Sequence, residues 1–187
     1  MTALPAPVSR SAHRTTGSVI WITGLSGAGK STVAAHLVPR LAAAGLHSVL
    51  LDGDELRAAL GMVGTYDPQS RHRLAFVYAR LCHLLARQGH TVVIATIALY
   101  HDVQAWNRTN LPNYLEVLLE VPLTELRRRN SKGVYGPDTV TPVVGVGIAP
   151  EFPIQPDLTV SNLGPVTPDV VAEQIFHLHE TRRGDIR

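Results

Sequence analysis

Val19-Ile20-Trp21-Ile22-Thr23-Gly24-Leu25-Ser26-Gly27-Ala28-Gly29-Lys30-Ser31-Thr32 joins a run of β-branched and aromatic residues to the pattern of a glycine, four residues, then Gly-Lys-Ser. The apolar run predicts a strand, the glycines a tight loop, and the stretch from Lys30 onward a helix. Glycines let the backbone turn so that successive N–H groups point inward, and the helix adds its positive N-terminal end. A polyphosphate is then held by dipoles. Residues Gly24, Leu25, Ser26, Gly27, Ala28, Gly29, Lys30, Ser31 and Thr32 are therefore the expected ATP-binding set. Lys30 is placed to reach the β and γ phosphates, Ser31 to offer its hydroxyl to Mg²⁺, and Thr32 to bond a phosphate nearer the nucleoside.

On either side of this stretch, short β-branched runs alternate with longer helical segments, the signature of a parallel sheet covered on both faces. Strands are predicted at Val19 to Thr23, Ser48 to Leu51, Thr91 to Thr96, Tyr114 to Val121 and Leu158 to Val160. Helices are predicted from Lys30 to Ala44, around Glu55 to Gly61, from Gln69 to Arg87, around Asp102 to Asn110, from Leu123 to Asn130 and from Pro168 to Arg182. Gly45 and Gly89 follow helical patterns where a residue with positive φ would close a helix. Pro39 lies inside the first helical pattern and is expected to kink it near Ala35. The stretch from Ser131 to Pro156, rich in proline and glycine, reads as a long loop, and loops of this length are commonly lids. The fold class is α/β, with five parallel strands, one domain over residues 18 to 187, and a mobile lid at about 131 to 156.

Composition narrows the function classes. The chain has 187 residues, 45% of them hydrophobic and 17% charged, with 17 Lys+Arg against 15 Asp+Glu. A core of ordinary size is available, and a net charge of only +2 argues against a nucleic-acid coating protein. A single cysteine, Cys82, excludes an internal disulfide, which suits a reducing, cytoplasmic setting. Residues 1 to 17 read as a flexible arm without a secretory pattern, and no apolar run has membrane-spanning length. Cys82 lies in a helical pattern and reads as a buried, inert thiol.

A second cluster stands at the end of the second strand, in Leu51-Asp52-Gly53-Asp54-Glu55-Leu56-Arg57. The carboxyl ends of parallel strands form the ligand crevice, so Asp52 and Asp54 meet the phosphate loop there. One carboxylate can orient or deprotonate an attacking hydroxyl or hold Mg²⁺, while Arg57 grips an anionic substrate. Taken without that loop, Asp-Gly-Asp is equally a turn with a helix cap. No Asn-Lys-x-Asp motif marks a guanine-reading switch, and the length leaves little for the coupling domains of a motor. A small-molecule or nucleotide kinase is the class that fits.

These residues resemble the adenylylsulfate kinase family, over roughly Val19 to Asp157. The resemblance rests on Gly24 to Thr32, Leu51 to Asp54 with Arg57, Lys132-Gly133-Val134-Tyr135, and Glu151, Pro153 and Pro156 after Gly145. It implies the P-loop NTPase kinase fold, Mg-ATP as phosphoryl donor, a small nucleotide-linked acceptor and a homodimer. By the same resemblance Lys30, Asp52 and Asp54 are catalytic, Ser31 and Asp52 hold Mg²⁺, and Arg129 joins the ATP site. Asp54, Arg57, Tyr66, Arg71, Ile97 and Lys132 fall at acceptor-binding positions.

The chain departs from the family pattern on the acceptor side. Ser70 replaces an aspartate, Leu74 an asparagine, Phe76 and Val77 a pair of arginines, Ala98 a serine and His101 an arginine. Each lost charge-assisted hydrogen bond weakens anion binding by about 1 to 3 kcal/mol. Trp106-Asn107-Arg108 and Val143 to Val146 are more similar to cytidine diphosphoramidate kinase, a divergent branch. Both acceptors stay open at this point, as does a nucleotide-binding module without catalysis.

Overall fold

The computed structural model describes residues 16–63, 67–129, 135, 143–164 and 166–184. Its elements follow in the order β1 (Ser18–Thr23), α1 (Lys30–Ala43), β2 (Ser48–Asp52), α2 (Gly53–Ala59), α3 (Pro68–Ala86), β3 (Thr91–Ala95), α4 (His101–Asn110), β4 (Tyr114–Glu120), α5 (Leu123–Arg129), β5 (Val143–Val144), β6 (Gly147–Ile148), β7 (Leu158–Ser161) and α6 (Pro168–Gly184). Five strands form one parallel sheet in the order β2-β3-β1-β4-β7. The glycine-rich strand-to-helix turn thus leaves the middle strand, with the other carboxyl ends ranged on both sides of it.

Because side chains alternate across a strand, the sheet splits its apolar residues between two cores. Ile20, Ile22, Val93, Leu115, Val117 and Leu119 face α1 and α6, meeting Val33, Leu37, Leu41, Val171 and Ile175. Val19, Trp21, Val92 and Ile94 face α3 and α4, meeting Leu74, Tyr78, Ala79, Cys82 and Val103. Both faces are covered, so β1 and β3 are buried along their whole length. Trp21, only 1% exposed, is a packing residue.

Helix ends follow local chemistry. After α1, Gly45 N–H donates to Ala42 O and Leu46 N–H to Leu41 O, with Gly45 at φ 76°, the paired bonds of a left-handed C-terminal cap. Gly89, at φ 92°, closes α3 in the same way through Ala86 O. α3 begins one residue before its expected start, because Asp67 Oδ1 accepts from Ser70 N–H at 2.8 Å and Pro68 fits the first turn. α1 runs unbroken through Pro39 from Lys30 to Ala43.

The expected loop from 131 to 156 needs correction. Its described part contains β5 and β6, which pair in parallel, with Gly145 N–H donating to Ile148 O at 2.8 Å. Gly145, at φ 94°, makes so tight a turn possible, and alternation over two-residue strands is too short to be read in advance. The rest of that segment, apart from Tyr135, and the arm at residues 1–15 lie outside the described residues.

Cys82 is fully buried on the sheet-facing side of α3, and burial pushes its thiol far above the ordinary range. A thiol-specific aromatic disulfide added to the folded protein at pH 8 is expected to leave Cys82 unmodified over an hour. Full stoichiometric release is expected once denaturant unfolds the chain.

Candidate active site

The loop after β1 turns at Gly24 (φ 145°), Gly27 (φ 76°) and Gly29 (φ 91°). A Cβ on Gly24 would stand 2.5 Å from Leu119 O, and one on Gly29 2.5 Å from Asn162 Nδ2. Glycine is required at both places by space as well as by φ. Lys30, 9% exposed, folds its ammonium back onto the loop, donating to Gly24 O at 2.9 Å and Leu25 O at 2.8 Å. Tyr135 Oη–H donates to Ser26 O at 2.8 Å and Asn162 Nδ2 to Ala28 O at 2.8 Å. The carbonyls of Gly24, Leu25, Ser26 and Ala28 are therefore engaged by side-chain donors.

β2 ends beside this loop. Ser31 Oγ–H donates to Asp52 Oδ2 at 2.5 Å, while Asp52 Oδ1 accepts from Asp54 N–H at 2.9 Å and so caps α2. One carboxylate both starts a helix and meets the serine that follows Lys30. Tyr78, from α3, donates its hydroxyl to Gly53 O at 2.8 Å and fixes the turn from behind. Burial first, then Asp54 and Asp52 nearby, push that phenol up to about 12 against the opposing pull of Arg57. Tyr78 stays protonated and keeps donating.

The expected acceptor side lies past β3. Thr23 Oγ1–H reaches Ile97 O at 2.5 Å, tying the end of β1 to the segment that follows β3. Burial pushes the Tyr100 phenol up, while Arg71 and Arg57 nearby pull it down. Ala98 takes φ 27°, a left-handed conformation that turns the chain toward α4. That corner is pinned by the last part of the expected lid segment: His101 N–H donates to Glu151 Oε2 at 2.5 Å, Gln104 Nε2 to Glu151 O at 2.8 Å, and the His101 ring bonds Phe152 O at 2.9 Å.

Where the family pattern has polar groups, this surface is aromatic. His72 meets Tyr100 and Phe76 edge to face at 5.0 and 5.3 Å, and Phe76 meets Trp106 at 6.5 Å. His72 also bonds Asp102 at 2.7 Å. Leu74 points into the core at 1% exposure. Tyr66 and Lys132 lie outside the described residues.

On the far side of the loop, Arg129 donates to Glu125 Oε1 at 2.8 Å and Asn162 O at 2.9 Å. Hydrogen bonds from Arg128 and then Arg129 hold the Glu125 carboxyl down to about 2. Thr32 is exposed at the start of α1. Sequence reasoning missed Asn162, Tyr78 and the contact of Tyr135 with the loop. For Asn162 a signal existed, since it stands just past the carboxyl end of a parallel strand.

The donor set suits magnesium. Ser31 Oγ and Asp52 Oδ2 are hard oxygens already in contact, and Mg²⁺ is bound through one or two carboxylates plus substrate phosphates, not by an all-protein cage. Among the described residues no group of three or more acidic, histidine or cysteine side chains gathers as a metal cage. None of the described helices is long and apolar enough to cross a membrane.

A phosphate loop leaving the central strand of a parallel sheet, with an aspartate from the next-but-one strand at its serine, defines a P-loop kinase, an ATP-dependent phosphotransferase. The adenylylsulphate kinase family model matches residues 16–161. The chain belongs to the adenylylsulfate kinase family. It is 37% identical to cytidine diphosphoramidate kinase of Campylobacter jejuni over 147 residues, covering 77% of this chain and 85% of that one. It is 34% identical to adenylyl-sulfate kinase of Pseudomonas aeruginosa, covering 89% and 87%. Its fold matches the APS kinase of Mycobacterium tuberculosis, solved with AMPPNP and APS, at a TM-score of 0.80 and 29% identity, covering 88% and 98%.

Proposed function

We propose that this chain transfers the γ-phosphoryl group of Mg-ATP to a hydroxyl of a nucleotide-linked metabolite. The observation that carries the reading is the convergence of Lys30 Nζ on the loop and of Ser31 Oγ on Asp52 Oδ2. ATP lies with its phosphates over Gly27 to Thr32, and Arg129 touches ATP. Ser31 and Asp52 would hold Mg²⁺, which would supply positive charge against the negative charge of the phosphates. Lys30 exchanges its loop carbonyls for the phosphates. Asp54, Arg57, Tyr66, Arg71, Ile97 and Lys132 receive the acceptor, with Arg57 and Arg71 taking its anionic part.

The step needs little covalent help from the protein. The acceptor oxygen forms a bond to the γ-phosphorus as the bond to the β–γ bridging oxygen breaks, and ADP leaves. The hydroxyl proton passes to a carboxylate of the Asp52 and Asp54 pair. Lys30, fixed near the loop, faces the charge that moves onto the leaving oxygen.

Two acceptors suit the family. Leu74 turned into the core, and Phe76, in place of an expected arginine and packed against His72, favour cytidine diphosphoramidate over adenylylsulfate. Matched ADP-release assays are expected to show at least about tenfold higher kcat/KM with cytidine diphosphoramidate, the effect of one cationic contact. Higher efficiency with adenylylsulfate reverses the choice of acceptor. ATP binding with no ADP release for any nucleotide-linked acceptor leaves the inert nucleotide-binding module.

A cytoplasmic setting and a homodimer belong to the same reading. Val77 and Leu84, two turns apart on α3, are 40% and 57% exposed. Sedimentation velocity of the full chain tests the dimer.

A further inference from the structure

A phosphate loop works only if its amide N–H groups face the anion, and each peptide plane fixes its N–H opposite its own carbonyl. Holding Ala28 O away from the crevice therefore holds Gly29 N–H toward it. Lys30 cannot do this once its ammonium moves to the phosphates, and Tyr135 donates to Ser26 O, two residues earlier. The donor on Ala28 O is Asn162 Nδ2, at 2.8 Å.

Asn162 is held firmly enough for the task. It is 6% exposed and follows β7, its N–H bonds Glu120 O at 3.1 Å, and its carbonyl accepts from Arg129 at 2.9 Å. Its amide fills the space against Gly29, which carries φ 91° and forms the N-terminal cap of α1 without any side-chain capping bond. We propose that Asn162 is a positioning residue for the nucleotide: it locks the Ala28–Gly29 peptide with the N–H turned to the phosphates, and couples that peptide to Arg129 through its own carbonyl. This rests on the assignment of the loop to ATP.

Asn162→Ala removes the donor. Asn162→Asp replaces it with a group that donates to Ala28 O only while protonated; ionised, it sets a charge against that carbonyl and against the phosphates. Burial raises such a carboxyl's pKa and Arg129 lowers it, with Glu125 already neutralised by its arginines. Calorimetric ATP binding with excess Mg²⁺ is measured for the full chain and both variants from pH 5 to 8, alongside melting curves.

At pH 8, Asn162→Ala is expected to bind ATP about tenfold more weakly than wild type, the size of one lost hydrogen bond. Asn162→Asp is expected to be weaker still at pH 8 and to recover toward wild type as pH falls, expressed as a ratio to wild type at each pH. A lower melting temperature with ATP affinity within twofold of wild type overturns the proposal, as does an Asn162→Asp ratio that does not change with pH. If wild type itself takes up no ATP, the assignment of the loop fails first, which separates the two.

Discussion

Replacing Lys30 by alanine lowers kcat by about a thousandfold or more, as expected when a charge aimed at the transferring phosphoryl group is removed. The ammonium is nearly buried and donates to two carbonyls of the loop itself, Gly24 O and Leu25 O. Both of those carbonyls are neutral, and removing a buried charge also removes the cost of desolvating it. The variant is therefore expected to stay folded, with a melting temperature within a few degrees of wild type. ADP release measured alongside the melt separates lost chemistry from lost fold. Activity above a tenth of wild type in a folded Lys30→Ala protein would refute the role given to this lysine.

Asp52→Asn is expected to lower kcat by about a hundredfold and to shift the Mg²⁺ concentration for half-maximal rate upward by at least about tenfold. The reasoning comes from the two oxygens of one side chain. Oδ1 caps α2 through Asp54 N–H, and an asparagine oxygen caps equally well, so the turn and Asp54 hold their places. Oδ2, which meets Ser31 Oγ at 2.5 Å, loses its charge and its affinity for a hard cation. A magnesium titration of initial rate reads the shift directly. An unchanged midpoint, with normal kcat, would place the cation elsewhere.

Much of the scaffold was legible before any coordinates. Strand, glycine loop and helix follow one another without interruption from Val19 to Thr32, so local pattern alone places Lys30 and Ser31. Gly45 and Gly89 mark helix ends because positive φ is a property of single residues. Asp52 is visible through its strand end. By contrast, Asn162 reaches Ala28 from 134 positions away and Tyr135 reaches Ser26 from 109. Those contacts exist because the sheet order β2-β3-β1-β4-β7 brings non-consecutive strand ends together, which no local periodicity encodes. The same holds for Glu151, whose carboxylate caps α4 from 50 residues on. Pro39 lies inside α1, which continues from Lys30 to Ala43 with Leu37 and Leu41 in the core.

Calorimetric titration of the purified chain with ATP, in the presence and absence of Mg²⁺, bears most directly on the loop. Saturable uptake of one ATP per chain, strengthened by Mg²⁺ and lost in Lys30→Ala, is the expected result. An absence of ATP uptake at millimolar nucleotide with Mg²⁺ present would contradict it.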